Sequence, residues 1–171
     1  MLRFVLGEGP VPCTGMIVGE APGAEEDKQG RPFVGASGKL LDEALEAAGI
    51  HRPQIYVTNV YKLRPEGNRN PTQEEIDAHW PYLEDELNAV NPIGVLLLGN
   101  VALHTFFPDV PGITQVRGHI FQGMFGEQVS FTEYWATYHP AYVLYQNGDS
   151  SIRHTFFEDV AEFVNHTMKL I

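Results

Sequence analysis

Short apolar runs alternate with amphipathic stretches along this chain, and each run stops at a turn residue. Residues 16–18, 55–60 and 94–98 are such runs, each closed by Gly or Asn. Continuous apolar runs of this length suit strands of a parallel sheet covered on both faces. Residues 135–138 supply a fourth candidate, followed at once by His139-Pro140. Between the strands lie helical patterns. Residues 39–48 place Leu40, Leu41, Ala44, Leu45 and Ala48 on one face, with Gly49 as a C-cap. Pro71-Thr72-Gln73-Glu74-Glu75 opens a second helix, with Thr72 as N-cap and Glu75 completing a capping box, and it runs to about Ala89. A third, 152–170, turns Phe156, Val160, Phe163, Val164 and Met168 inward, and 100–107 forms a short helix after the third strand.

This alternation predicts an α/β fold: a three-layer αβα sandwich around a central, mostly parallel four-stranded sheet, in a single domain spanning 1–171. In such sheets ligands sit beyond the carboxyl ends of the strands. The Gly- and Pro-rich segments after each strand are therefore where chemistry is expected.

Composition narrows the picture. No apolar run approaches the roughly 20 residues that a membrane span needs, and MLRFVLGEGP does not read as a secretory signal. A cytoplasmic protein is expected. One cysteine, Cys13, excludes an internal disulfide framework and a Cys-rich metal site within these residues. A net charge of −11 argues against a surface that embraces nucleic acid over its whole extent. The charges are unevenly placed, however. About half of the acids fall on the three long helices, whereas Lys28, Arg31, Lys62, Arg64, Arg69 and Arg117 fall in strand-end loops.

The first strand ends in Gly19-Glu20-Ala21-Pro22-Gly23, a tight turn whose N–H groups can face a ligand. An acidic run, Glu25-Glu26-Asp27, and then Gly30-Arg31-Pro32-Phe33-Val34-Gly35 follow. Taken alone, the turn is generic, Phe33 reads equally as a core residue, and the acidic run reads equally as a solvated face. The later strand ends give Thr58-Asn59-Val60-Tyr61-Lys62 with Leu63-Arg64-Pro65, then Leu98-Gly99-Asn100-Val101-Ala102, then Arg117-Gly118, then Tyr138-His139-Pro140-Ala141-Tyr142.

In their order and intervals these segments resemble the iron–sulfur (family 4) uracil-DNA glycosylases of the uracil-DNA glycosylase superfamily, over residues 15–145. The resemblance implies an enzyme that flips uracil, or a related modified pyrimidine, out of DNA and hydrolyses its N-glycosidic bond as in base excision repair. It implies a site formed by Gly19, Ala21, Phe33 and Asn59 around the base. Phe33 would stack on the ring, and the Asn59 amide would match the O4 and N3–H edge of uracil against the reversed pattern of cytosine. His139 would hydrogen-bond the base oxygen as charge develops there, a task for a neutral imidazole. Glu20 would orient or activate water, with Glu26 or Asp27 as a second acid. Lys62, Arg64, Arg69 and Arg117 would meet DNA, and Tyr142, Val143 or Leu144 within 141–147 would fill the vacated stack.

Departures from the family are equally plain. Its four cluster cysteines have no counterparts here: two belong to an N-terminal segment not present, Leu63 stands at a third and His79 at the fourth. No cofactor and no metal are expected. Tyr145-Gln146 replaces a basic residue usual after the last motif. The loop 64–71 carries no histidine, which disfavours covalent trapping. DNA is the expected partner, single-stranded by preference because nothing need be unpaired first, and the protein is expected to be a monomer. Nucleoid association in a prokaryote, or host cytoplasm for a viral protein, would follow. Two alternatives stay open: a non-catalytic base-sensing or inhibitory module on the same fold, and a glycosidase of nucleotides or nucleosides.

Overall fold

The structure is a computed structural model that describes residues 1–146 and 149–169. Five strands form one sheet in the order β2-β1-β3-β5-β4. They are β1 (Gly15–Gly19), β2 (Tyr56–Asn59), β3 (Gly94–Leu98), β4 (Phe121–Gly123) and β5 (Thr132–Thr137). The first three and β5 run parallel, and β4 pairs antiparallel with β5. The sheet thus has one more strand than the four that the sequence predicts. Strand β4 has only three residues, of which Gly123 alone is buried, so no apolar run announces it.

The helices are α1 (Ala24–Gln29), α2 (Ala36–Ala47), α3 (Gln73–Val90), α4 (Asn100–Phe106), α5 (Ile113–Val116), α6 (Pro140–Tyr145) and α7 (Ser150–Thr167). Strands β1 and β3 are buried over their whole length, because alternate side chains enter different layers. Ile17, Val57, Leu96, Leu98 and Trp135 pack against α2 and α7 through Leu41, Leu45, Phe156, Val160 and Phe163. Met16, Val18, Val95, Leu97 and Tyr134 pack on the opposite face against α3 and α4 through Leu83, Leu87, Leu103 and Phe106. The three-layer expectation therefore holds.

Local signals explain where the long helices begin. Thr72 accepts from Glu75 N–H at 3.2 Å while Glu75 accepts from Thr72 N–H at 2.9 Å, the reciprocal box that spares two end donors. Asp149 caps α7 by accepting from Ser151 N–H. Gly49, at φ +94°, follows the C-cap residue Ala48 of α2. The expected third helix reaches Leu170, which lies outside the described residues, as does Asn147 of the expected wedge segment. No described helix is long and apolar enough to cross a membrane.

Candidate active site

The carboxyl ends of β1, β2 and β5 open onto a cavity of about 440 Å³, within the ordinary size range of small-molecule sites. Glu20, Ala21, Pro22, Gly23, Glu26 and Phe33 line one side. Asn59 and His139 form its floor and far wall, with Ala141 and Tyr142 at the rim. The structure thus brings together Glu20, Ala21, Phe33, Asn59 and His139, residues up to 119 positions apart in sequence. Gly19 lies directly behind them. A Cβ there would stand 2.4 Å from the tip of the Phe33 ring and 2.7 Å from Asn59 Oδ1. Only hydrogen at this position lets ring and amide close on one another.

Asn59 ends β2 and is 3% exposed, yet its Oδ1 has no hydrogen-bond partner within the protein. A buried acceptor left unpaired costs free energy that a ligand donor can recover. His139 N-caps α6, and its Nδ1 accepts from Ala141 N–H at 3.0 Å. That bond places the proton of the neutral ring on Nε2 as a donor. Burial pushes its pKa down to about 4, against a smaller opposing pull from Glu26, so the ring is neutral at ordinary pH. Glu20 is partly buried at the mouth, and burial raises its pKa. Phe33 is 5% exposed and lies nearly parallel to His139, with ring centroids 6.2 Å apart. Its backbone is left-handed, at φ +53°, which costs a side-chain-bearing residue about 1–2 kcal/mol.

Glu26 lines the cavity with Glu20, but its carboxylate is engaged by backbone donors. Its Oε1 accepts from Gly23 N–H, and its Oε2 accepts from Val34 and Gly35 N–H at 2.8 and 2.6 Å. Three backbone donors engage the carboxylate, which ties the glycine turn to the Phe33 loop. The acidic run is a short helix, α1, and Glu26 is its N3 residue.

The DNA-facing assignments divide. Lys62 is fully buried: its ammonium donates to Asn59 O at 2.6 Å, to Thr58 Oγ1 at 2.7 Å and to Glu86 Oε1. It cannot meet phosphate, which corrects its placement among DNA contacts. The Glu86 carboxylate also accepts from Tyr56 OH and Gly7 N–H, so the buried pair is fully hydrogen-bonded. Burial lowers the Lys62 pKa, and Glu86 pulls the other way. Arg117 is held by two bonds to Asp159, at 2.9 and 2.7 Å, and Thr137 donates to the same carboxylate. Its fork is spent inside the fold. Arg69 lines the cavity but is paired with Glu75 at 2.7 Å. Arg64 donates to Asn68 Oδ1 at 2.9 Å and, among the described residues, joins no ion pair. Tyr142 and Leu144 are exposed on α6, Tyr142 lining the cavity and stacked on Tyr138 at 5.3 Å, whereas Val143 is buried in the core and cannot serve as a wedge. Sequence reasoning missed Ser37, Pro65, Asn68 and Asn70 in the lining. Ser37 lies in the first turn of α2, and Pro65, Asn68 and Asn70 lie in the loop 64–71, where residue type alone does not single them out.

An iron–sulfur cluster does not fit the residues present. Of the two positions within this chain that the resemblance assigns to cluster thiolates, Leu63 offers no ligand atom. The His79 ring accepts Lys62 N–H on Nδ1 and packs among Phe4, Tyr61 and Tyr82. Cys13 directs its thiol to Gln54 O. No described group of three or more His, Cys, Asp or Glu side chains is arranged to hold a metal ion.

Comparison with known proteins agrees with this geometry. The family model described as the uracil DNA glycosylase superfamily matches residues 6–165. The type-4 uracil-DNA glycosylase of Pyrobaculum aerophilum is 42% identical, over 93% of this chain and 81% of its own. That of Thermotoga maritima is 42% identical, over 92% of this chain and 80% of its own. That of Sulfurisphaera tokodaii is 39% identical, over 92% and 73%.

Proposed function

The chain belongs to the uracil DNA glycosylase superfamily, and from that premise we propose that it hydrolyses the N-glycosidic bond of uracil flipped out of DNA. The observation that carries the substrate is the unpaired Asn59 Oδ1 on the cavity floor. Uracil N3–H satisfies that acceptor while the Asn59 amide N–H reaches O4. Cytosine brings an unprotonated N3 to the same acceptor and a second donor to the amide, so it is refused.

The remaining residues serve the bond-breaking step. As the C1′–N1 bond breaks, its electron pair leaves with the base and negative charge grows on the base oxygen. His139, neutral and with its proton on Nε2, donates to that oxygen. Positive charge develops on the sugar, and the Glu20 carboxylate at the mouth favours it. Water adds to C1′ and gives a proton to Glu20, which passes it through solvent to the departing uracil anion, leaving an abasic site, neutral uracil and the Glu20 carboxylate restored. Phe33 holds the plane of the extruded ring. Tyr142 and Leu144 stand where they can enter the vacated stack.

Single-stranded DNA is the preferred substrate in this reading. Three of the four cations expected at DNA are tied up by carboxylates, which leaves little binding energy to spend on unpairing a duplex. The protein acts without a cofactor, as a monomer in the cytoplasm. The test is release of uracil from a labelled single-stranded oligonucleotide carrying one uracil, read as alkali-sensitive cleavage. His139→Ala and Asn59→Ala each lower kcat by about 100-fold or more. Full activity in either variant, or none in the wild type, refutes the reading.

A further inference from the structure

Phe33 is the one aromatic residue among the described positions whose backbone is left-handed; the other non-glycine cases, Asn68 and Asn91, are of the type that tolerates it. Something must hold the loop in this conformation, and the surroundings show what. Arg52 reaches across from the turn of 3-10 helix Arg52–Gln54. Its Nη1 donates to Phe33 O at 2.6 Å, and its Nη2 donates to Pro32 O. The fork therefore grips the two carbonyls on either side of the Phe33 nitrogen and α-carbon. The guanidinium is itself held by Asp42 Oδ1 at 3.1 Å, and its side chain is 15% exposed.

The other flank is fixed independently. Glu26 gathers the N–H groups of Val34 and Gly35, and Gly38 lets Phe33 O approach where a Cβ would meet it at 1.8 Å. Arg52 also stands seven residues before Asn59, in the turn that precedes β2, the strand that Asn59 ends. The turn that leads into the strand of the base-reading amide thus carries the grip on the stacking ring.

We propose that Arg52 is a positioning residue of the site: it locks the left-handed Phe33 loop to the turn that leads into β2, so that ring and amide meet the base in one fixed geometry. The inference rests on the glycosylase reading above. It also explains why arginine occupies the position. Lysine would keep the charge and the pairing with Asp42, but a single ammonium cannot reproduce a planar fork on two carbonyls.

The test is a double-mutant cycle on the full chain. Steady-state kcat and KM for single-stranded uracil DNA are measured for wild type, Arg52→Lys, Phe33→Ala and the double variant, with Tm recorded for each. Inhibition by free uracil is measured alongside. Arg52→Lys is expected to lower kcat/KM by about 10- to 100-fold and to weaken inhibition by uracil. In the Phe33→Ala background the same change is expected to alter kcat/KM by less than about twofold, because no ring remains to be placed. The Tm shift is expected to be equal in both backgrounds. An equal kinetic loss in both backgrounds, or no loss in either, overturns the proposal. If Arg52→Lys does not fold, Asp42→Asn, which loosens the same guanidinium, is read in the same cycle by the same criteria. A wild-type protein that releases no uracil refutes the glycosylase reading itself, a result distinct from either.

Discussion

The floor of the cavity and its rim are built on opposite terms. On the floor, Asn59, His139 and Phe33 are buried or half-buried: the Asn59 carbonyl is held by Lys62, the His139 ring by Ala141 N–H and the Phe33 carbonyl by Arg52, and the Asn59 Oδ1 is left free. Outside the floor, the cations expected to greet phosphate are held by carboxylates: buried Lys62 by Glu86, half-exposed Arg69 by Glu75 and Arg117 by Asp159. The difference teaches where selectivity resides. This protein invests in recognising the base and little in holding the backbone, so its affinity for DNA should depend on a base being in the pocket.

The sharpest way to break that contrast is to attack the support under the floor. Lys62→Met leaves Glu86 buried without its counter-charge and frees the Asn59 carbonyl. A loss of about 3–5 kcal/mol in unfolding free energy is expected from denaturant titration. A rim residue in contact with DNA would instead show weaker binding at unchanged stability.

Next in size is Gly19→Ala, which pushes a methyl group into the gap shared by the Phe33 ring and Asn59 Oδ1. Its kcat/KM on uracil DNA should fall by about 100-fold, with a circular dichroism spectrum like that of the wild type.

The pH profile separates the two titrating groups. A base must be deprotonated, and the raised pKa of Glu20 moves the acid limb of kcat above the ordinary 4.5. Below that limb the rate falls about tenfold per pH unit. Glu20→Gln should lower the rate and flatten the limb, leaving residual activity level down to about 4, where His139 takes up its proton. Stability follows the opposite member of the pair. Between pH 6.5 and about 4 the unfolded chain protonates this histidine and the folded one does not, so Tm should decline as pH falls through that window.

The smallest effect belongs to the rim. Arg64→Ala removes a cation that no carboxylate holds. It should weaken single-stranded DNA binding a few-fold and reduce the salt slope by about one or less, alike for uracil-containing and uracil-free strands.

How much of this was legible beforehand follows from physical range. The strands at 94–98 and 16–18 and the capping box at Thr72 are written in neighbouring residues, and they stand where the pattern puts them. Asn59 and His139 were visible as polar residues closing apolar strands. Lys62 was misread because its sequence neighbourhood, a strand-end loop with Arg64, is that of a solvent-facing cation. The carboxylate that draws it inward is 24 positions away. Glu26 read as an acid available for chemistry because the three N–H groups that engage it come from two separate turns. Arg52 gave no signal at all, since its partners are main-chain carbonyls, which every sequence has.

The strand order carries a last consequence, for how the protein comes to be active. Asn59 is contributed by an edge strand and His139 follows β5, and β1 and β3 must be seated between them before the two can face one cavity. Contacts so distant along the chain close late and at high entropic cost. Recovery of uracil release after dilution from denaturant should therefore lag the return of helical signal, and enzyme activity becomes a clock for the closing of the sheet.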